Sequence, residues 1–150
     1  MERRKFIKNS SIAMGLSTLG LSNLDLNSMN KKIEKPVVIS TWNFGLAANQ
    51  DAWKILSSGG RALDAVEQGV MNPEADPTNS SVGYGGLPDR DGRVTLDACI
   101  MDEKGNAGCV MALEHIVHPI CVARKVMENT PHVILTGDGA LQFALDQGFT

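Results

Sequence analysis

The stretch RVTLDACIMDEKGNAGCVMALEHI, residues 93–116, decides the fold class of this chain because it predicts a β-hairpin. Apolar residues alternate along its first half and form one predicted face, made of Val94, Leu96, Ala98 and Ile100. EKGN supplies a turn around Gly105, and AGCVMALEHI predicts the return strand. A hairpin places antiparallel strands side by side, which excludes the purely parallel sheet of a doubly wound nucleotide-binding fold.

Upstream of the hairpin, the pattern predicts a strand, two helices and a long loop. VVISTW, residues 37–42, is typical of a buried strand. Residues 46–60 predict a helix with Asn49 as its N-cap, and residues 61–71 predict a second helix. Residues 72–92 hold three prolines and four glycines, which indicates a long irregular loop.

Downstream of the hairpin, a helix, a short strand and a last helix are predicted. Pro119 opens a helix over residues 120–129, and residues 132–136 indicate a short buried strand. Asp138 is the expected cap of the last helix, which Gly148 stops. The whole order predicts an α/β (α+β) fold in which helices cover a mixed or antiparallel sheet.

Composition narrows the class of protein. The chain has 150 residues, 43% hydrophobic and 21% charged, with a net charge of -3, which suits one soluble globular domain. It offers no basic stripe, so nucleic acid is not expected as a partner. No apolar run reaches the roughly 18 residues that a membrane helix needs, so no membrane partner is expected either.

The N-terminus predicts an export signal. Basic residues that include Arg3 and Arg4 precede a mildly apolar stretch over residues 12–21, which resembles a twin-arginine signal. Residues 1–35 are therefore interpreted as signal and linker, residues 36–150 as the domain, and the location as periplasmic or secreted. The alternative is a disordered basic N-terminus with a chance Arg-Arg pair.

Cysteines and histidines predict neither a metal nor a cofactor. Cys99, Cys109 and Cys121 lack C-x-x-C spacing and are expected to be structural thiols, with Cys99 buried in its strand. The histidines have no cysteine or further histidine to complete a zinc site, and exposed turn positions are expected for His115, His118 and His132. The glycine-rich segments match no phosphate-binding motif.

One strand end is chemically unusual. After residues 37–39 the chain continues as STWNFG, which brings hydroxyls, an amide, two aromatic rings and a glycine together. The residues alone give no complete catalytic set, and no G-x-S-x-G nucleophile is present.

Four stretches together resemble a known family. They are STWNFG, AWKILSSGGRALDAVEQGV, DPTNSSVGYGGLPDRDGRVTLDACIMD and HPICVARKVMENTPHVILTGDGALQFALDQGF. In order and spacing they are similar to the N-terminal part of the glycosylasparaginases, the N4-(β-N-acetylglucosaminyl)-L-asparaginases. The resemblance runs from residue 36 to residue 149.

The resemblance implies an N-terminal nucleophile hydrolase with a four-layer αββα fold, of which this chain would hold a part. Such a precursor cuts itself before a threonine that follows an aspartate, and the freed threonine attacks the amide that joins asparagine to N-acetylglucosamine. Self-cleavage creates nucleophile and base together, because an α-amine has a pKa of about 8 against about 10.4 for lysine. This sequence contains no Asp-Thr step. We therefore expect the catalytic threonine to lie outside these residues, and no hydrolysis by them alone.

The resemblance also implies site residues and partners. Trp42, Phe44 and Ser81 would line the active-site wall, with glycosylated asparagine as substrate and a C-terminal β chain as partner; a core aromatic capping the sheet is the alternative for Trp42. Assembly into a homo-oligomer is compatible with the family. The alternative functions are a related L-asparaginase or isoaspartyl peptidase, and a truncated remnant without catalysis.

Overall fold

Residues 35–150, which the computed structural model describes, form four helices and three strands. The helices are α1 (Gly45–Ser57), α2 (Ala62–Ala75), α3 (Pro119–Asn129) and α4 (Gly137–Asp146). The strands are β1 (Leu96–Met101), β2 (Ala107–Leu113) and β3 (Ile134–Thr136), and a 3-10 turn covers Gly83–Gly85. Apart from Lys35, the predicted export signal and linker lie outside the described residues.

The predicted hairpin is confirmed. β1 pairs antiparallel with β2, and Ile100 lies opposite Gly108. At the turn, Gly105 has a φ of 83°, in the region that favours glycine, and its N–H donates to the carbonyl of Asp102 at 3.1 Å. The Asp102 carboxylate also accepts the N–H groups of Lys104 and Asn106, each at 2.9 Å. Local turn chemistry therefore sets the register of the hairpin.

The sheet is mixed. β3 joins β2 on the side away from β1 and runs parallel to it, with Met111 opposite Thr136, so the strand order is β1-β2-β3. The predicted strand after α3 is therefore present, but its predicted burial is wrong, because Ile134 is 48% exposed. The predicted cap of α4 is also wrong: Thr136 occupies the N-cap, and the Asp138 side chain makes no capping hydrogen bond.

The core lies between the inner face of the sheet and the helices α3 and α4. Val110 and Leu113 of β2 are fully buried there beside Val122, Ala123 and Val126 of α3. Gly108 brings the sheet and the helix close together, since a Cβ added to it would lie 2.1 Å from the carbonyl oxygen of Ala123. Only a glycine fits this contact.

The outer face of the sheet has no cover among residues 35–150. It exposes Met101, Met111 and Ile134, and Cys99 lies on it directly opposite Cys109. The prediction of a buried Cys99 is therefore wrong, because side chains alternate along a strand and Cys99 points away from α3. All three cysteines are free thiols in the structure.

The helices α1 and α2 pack closely against each other at Gly69 of α2. A Cβ on Gly69 would lie 2.9 Å from the carbonyl oxygen of Ala48 and 3.2 Å from the Cβ of Ala52. The predicted loop start at residue 72 is wrong, because α2 continues through Pro73 to Ala75. Pro73 stands within the last turn, where it has no N–H to donate to the carbonyl of Gly69.

Residues 37–42 do not form the predicted strand. They pair with none of the described strands, and Ile39 is 85% exposed. A strand needs a hydrogen-bonded neighbour, which local sequence cannot supply. The Ser40 hydroxyl donates instead to the side-chain oxygen of Asn49. The predicted N-cap of α1 is also wrong. Asn49 lies inside the helix, and Phe44 is the N-cap residue.

No helix in the described part of the chain is both long and apolar enough to cross a bilayer.

Candidate active site

An open hollow of about 440 Å³ brings together the three site residues that the sequence analysis singled out. Its lining consists of Trp42, Asn43, Phe44, Asp76, Thr78, Asn79, Ser80 and Ser81. Trp42 is 71% exposed, so it is not the core aromatic of the alternative interpretation. The hollow combines aromatic surface with hydroxyl, amide and carboxylate groups.

One wall of the hollow is the chain that leads into α1. The N–H of Gly45 donates to the carbonyl of Trp42 at 2.9 Å, and the N–H of Phe44 donates to the side-chain oxygen of Asn43 at 3.0 Å. These bonds close a tight turn immediately before the helix. A Cβ on Gly45 would lie 2.4 Å from the Cβ of Ser40, so the turn also needs a glycine here.

The opposite wall is the segment that follows α2. The Asp76 carboxylate accepts the hydroxyl of Thr78 at 2.7 Å and its N–H at 2.8 Å. Both hydrogen bonds hold the pKa of Asp76 below its ordinary value of 3.8, with the hydroxyl as the larger cause. The hollow therefore carries one ionised carboxylate at neutral pH.

Asn79 fixes the backbone of the same segment. Its side-chain oxygen accepts the N–H of Ser81 at 3.1 Å, and its amide nitrogen donates to the carbonyl of Pro73 at 3.2 Å. Asn79 is 9% exposed, whereas Ser81 is exposed in the hollow. A buried amide thus ties an exposed hydroxyl residue to the end of α2.

Two glycines let the segment fold onto the helix. Gly83 has a φ of 65°, and a Cβ there would lie 2.0 Å from the carbonyl oxygen of Glu74. A Cβ on Gly85 would lie 2.4 Å from the carbonyl oxygen of Asn79 and 2.7 Å from that of Pro77. Backbone packs directly on backbone at both positions, so the shape of this wall is set by the chain itself.

A buried carboxyl group anchors the end of α2 to the core. Glu74 is 2% exposed; its Oε1 accepts the N–H of Ile120 at 3.1 Å, and its Oε2 lies 3.2 Å from Nδ1 of His118. Burial raises the pKa of Glu74 to about 8 and lowers the pKa of His118 below 6.5. Burial thus shifts both pKa values toward the uncharged forms of the two groups, which lie within hydrogen-bond distance of each other. The prediction of an exposed His118 is wrong.

The arrangement is suited to binding rather than to attack. Hydroxyl groups line the hollow at Thr78, Ser80 and Ser81, but no histidine or lysine is among the lining residues to serve as their base. Across residues 35–150, no three His, Cys, Asp or Glu side chains are grouped as metal ligands would be. A polar substrate could lie against Trp42 and contact Ser81, with the attacking group supplied from elsewhere.

Five lining residues were not named as site residues by the sequence analysis: Asn43, Asp76, Thr78, Asn79 and Ser80. The run DPTNSS carries a signal that could have found the last four, because Asp, Thr and Asn side chains readily bond nearby backbone groups in turns. The contact from Asn79 to Pro73 depends on where α2 ends, which the sequence analysis placed too early.

Comparison with known proteins identifies the family. The Asparaginase_2 family model, described as asparaginase, matches residues 26–150. An N(4)-(beta-N-acetylglucosaminyl)-L-asparaginase of Elizabethkingia miricola is 63% identical over 150 residues, covering 98% of this chain and 44% of the relative. The enzymes of the same name from Rattus norvegicus and Mus musculus are 48% and 42% identical, covering 77% and 100% of this chain and 33% and 41% of their own length.

The chain thus spans less than half the length of these curated relatives. The match nevertheless extends over the whole described domain, including both walls of the hollow. The chain belongs to the Asparaginase_2 family of N-terminal nucleophile hydrolases and is related to its glycosylasparaginases.

Proposed function

We propose that this chain is the α-chain part of a glycosylasparaginase, which hydrolyses the amide between asparagine and N-acetylglucosamine during glycoprotein breakdown. The observation that carries the proposal is the 63% identity to a relative named for that activity. The hollow supports it, because Trp42 and Phe44 from the turn before α1 and Ser81 from a distant part of the chain line one site.

In the proposed enzyme, this chain supplies the wall and not the nucleophile. A threonine freed by self-cleavage of a longer precursor attacks the amide carbonyl, with its own α-amine as base, and aspartate and an aminosugar are released. The exposed ring of Trp42 faces this threonine and offers an apolar surface beside it. Thr78 is not that nucleophile, because its hydroxyl donates to Asp76 and its nitrogen is part of the backbone.

The proposed partner is the β chain of the same precursor. Met101, Met111 and Ile134 are exposed apolar side chains on the outer face of the sheet. In an αββα arrangement a second sheet covers this face, so packing of the β chain would bury it. The three described strands would then be one part of the complete sheet pair.

The proposal is tested by expressing the complete open reading frame and, separately, these 150 residues. We expect the complete protein to split into two chains and to release N-acetylglucosamine-derived product from glycosylasparagine, and the 150 residues alone to release none. Faster turnover of L-asparagine or of a β-aspartyl peptide by the complete protein would instead support the asparaginase or isoaspartyl peptidase alternative. Turnover by the 150 residues alone would refute the proposal that the nucleophile lies outside them.

We further infer export across the bacterial inner membrane, on the strength of Arg3 and Arg4 and the mild apolar stretch after them. Cell fractionation tests this inference. The natural protein should be found in the periplasm or medium, and replacing Arg3 and Arg4 with lysine should retain it in the cytoplasm. A natural protein that stays in the cytoplasm would contradict export.

A further inference from the structure

Asn79 links an exposed residue of the hollow to the interior of the protein. One end of its side-chain amide accepts the N–H of Ser81 at 3.1 Å, and the other end donates to the carbonyl of Pro73 at 3.2 Å. With only 9% of its surface exposed, Asn79 has little freedom to move away from either partner.

The carbonyl of Pro73 needs this donor. In a continuing helix it would accept the N–H of the fourth residue onward, but that residue is Pro77, which has no N–H. The Asn79 amide replaces the missing donor. Moving the Asn79 side chain would leave the carbonyl of Pro73 without a hydrogen-bond donor, which costs free energy. The position of its other hydrogen bond, to Ser81, is therefore fixed as well.

We propose that Asn79 is the positioning residue that holds Ser81 in the active-site wall; this inference rests on the proposed function. Ser81 lies in an irregular segment between α2 and the turn Gly83–Gly85, where neither helix nor sheet orients it. The bond from its N–H to Asn79 supplies that orientation. Asn79 itself does not touch the substrate in this proposal.

The neighbouring contact between Asp76 and Thr78 does not serve the same purpose. The Asp76 side chain bonds only to Thr78, two residues away, and Thr78 is exposed. That contact shapes the segment locally but does not tie it to the helix. Asn79 is therefore the residue through which the end of α2 acts on Ser81.

The kinetic test uses the complete processed enzyme with glycosylasparagine, and the variants Asn79→Ala, Ser81→Ala and the double variant. We expect Asn79→Ala to lower kcat by about tenfold or more with little change in KM. The reason is that a misplaced Ser81 would stabilise the transition state less than a correctly placed one. The double variant should be no slower than Ser81→Ala, since Asn79 acts through Ser81. Losses that multiply in the double variant would overturn the proposal.

A conservative variant and a control sharpen this test. Asn79→Asp loses the donor to the Pro73 carbonyl but keeps an oxygen that accepts the Ser81 N–H, whereas Asn79→Ala loses both. Asn79→Asp should therefore lose less activity than Asn79→Ala. Ser57→Ala is the control: it changes an exposed hydroxyl at the end of α1, outside the hollow, and should leave the Ser81 position unchanged. Equal losses in Asn79→Asp and Asn79→Ala would contradict a role of the acceptor oxygen.

A measurement independent of activity separates this inference from the proposed function. Amide hydrogen exchange at Ser81 should be slow in the natural protein and in Ser57→Ala, and faster in Asn79→Ala. Unchanged exchange in Asn79→Ala would overturn the positioning role even in an active enzyme. Failure of the proposed function would appear differently, as absent turnover of glycosylasparagine by the natural protein with the exchange difference intact.

Discussion

Glu74 at the end of α2 accepts the backbone N–H of Ile120 in the first turn of α3, at 3.1 Å and 46 residues away in the chain. Helix α3 begins with Pro119, which has no N–H, so Ile120 carries the first backbone donor of that helix. A side chain from one helix thus caps the start of another, beneath the candidate active site.

We expect Glu74→Ala to lower the free energy of unfolding by about 1–3 kcal/mol, because it leaves the buried N–H of Ile120 without an acceptor. Glu74→Gln retains an acceptor oxygen and should cost less. Urea unfolding measures both variants. Glu103→Ala is the control: this exposed carboxylate pairs with Arg61 at the surface, and its removal should cost less than that of Glu74. Equal losses in the two Glu74 variants would contradict the capping role.

Stability should fall as pH rises toward 8. Burial raises the pKa of Glu74 from 4.5 to about 8, so within this window the folded state holds a proton that the unfolded chain has released. Rising pH therefore lowers the free energy of unfolding, by up to about 1.4 kcal/mol per pH unit, until pH passes about 8. The lowered pKa of His118 gives a slope of opposite sign below 6.5.

The Glu74 contribution is therefore measured above pH 6.5, as the difference between the natural protein and Glu74→Gln in urea unfolding. The natural protein should lose stability up to about pH 8, and the variant should lose less. Identical pH profiles would show that Glu74 releases its proton at its ordinary pKa in the folded protein.

Two glycines should respond in opposite directions to alanine. Gly108→Ala places a methyl group 2.1 Å from the carbonyl oxygen of Ala123, so α3 must move and stability should fall by about 1–3 kcal/mol or more. Gly139 in α4 has open space around its Cβ position, and Gly139→Ala should stabilise the protein by about 0.5–1 kcal/mol. Thermal unfolding compares the two. Similar effects at both positions would contradict the close packing at Gly108.

Trp42→Ala should impair activity without affecting stability. Because Trp42 is 71% exposed, its removal should change the free energy of unfolding by no more than about 0.5 kcal/mol. In the complete processed enzyme, kcat/KM for glycosylasparagine should fall by about tenfold or more. Trp53→Ala on α1 is the matched control, a partly exposed tryptophan that does not line the hollow and should leave kcat/KM unchanged. Normal kinetics in Trp42→Ala would remove it from the site.

The sequence predicted best those elements whose causes are local. The hairpin carries its own turn around Gly105, and α3 is opened by Pro119, so both were placed correctly. Residues 37–42 were predicted as a strand from their residue types, but pairing depends on a neighbour far away in the chain. The extension of α2 beyond Pro73 likewise depends on two contacts between residues that are not neighbours in the chain. Glu74 bonds to Ile120, and Asn79, beyond the end of the helix, bonds to Pro73.

In the candidate site, too, the sequence analysis missed a residue whose role depends on partners that only folding brings to it. Family resemblance singled out Trp42, Phe44 and Ser81, and the structure places all three around one hollow; their role in catalysis stays a prediction. Asn79 was missed because its importance comes from two partners that only the folded chain brings to it. Residue type alone marks Asn79 as a turn residue.

The crowding around Gly85 limits how this hollow can change during evolution. The carbonyl oxygens of Asp76, Pro77 and Asn79 all lie within 3.0 Å of where its Cβ would be, so the segment closes into a tight ring of backbone. A ring of this kind tolerates neither insertion nor deletion. Relatives that acquire new substrate preferences at this wall must therefore do so by exchanging outward side chains, as at Ser80, while the length of the segment stays constant.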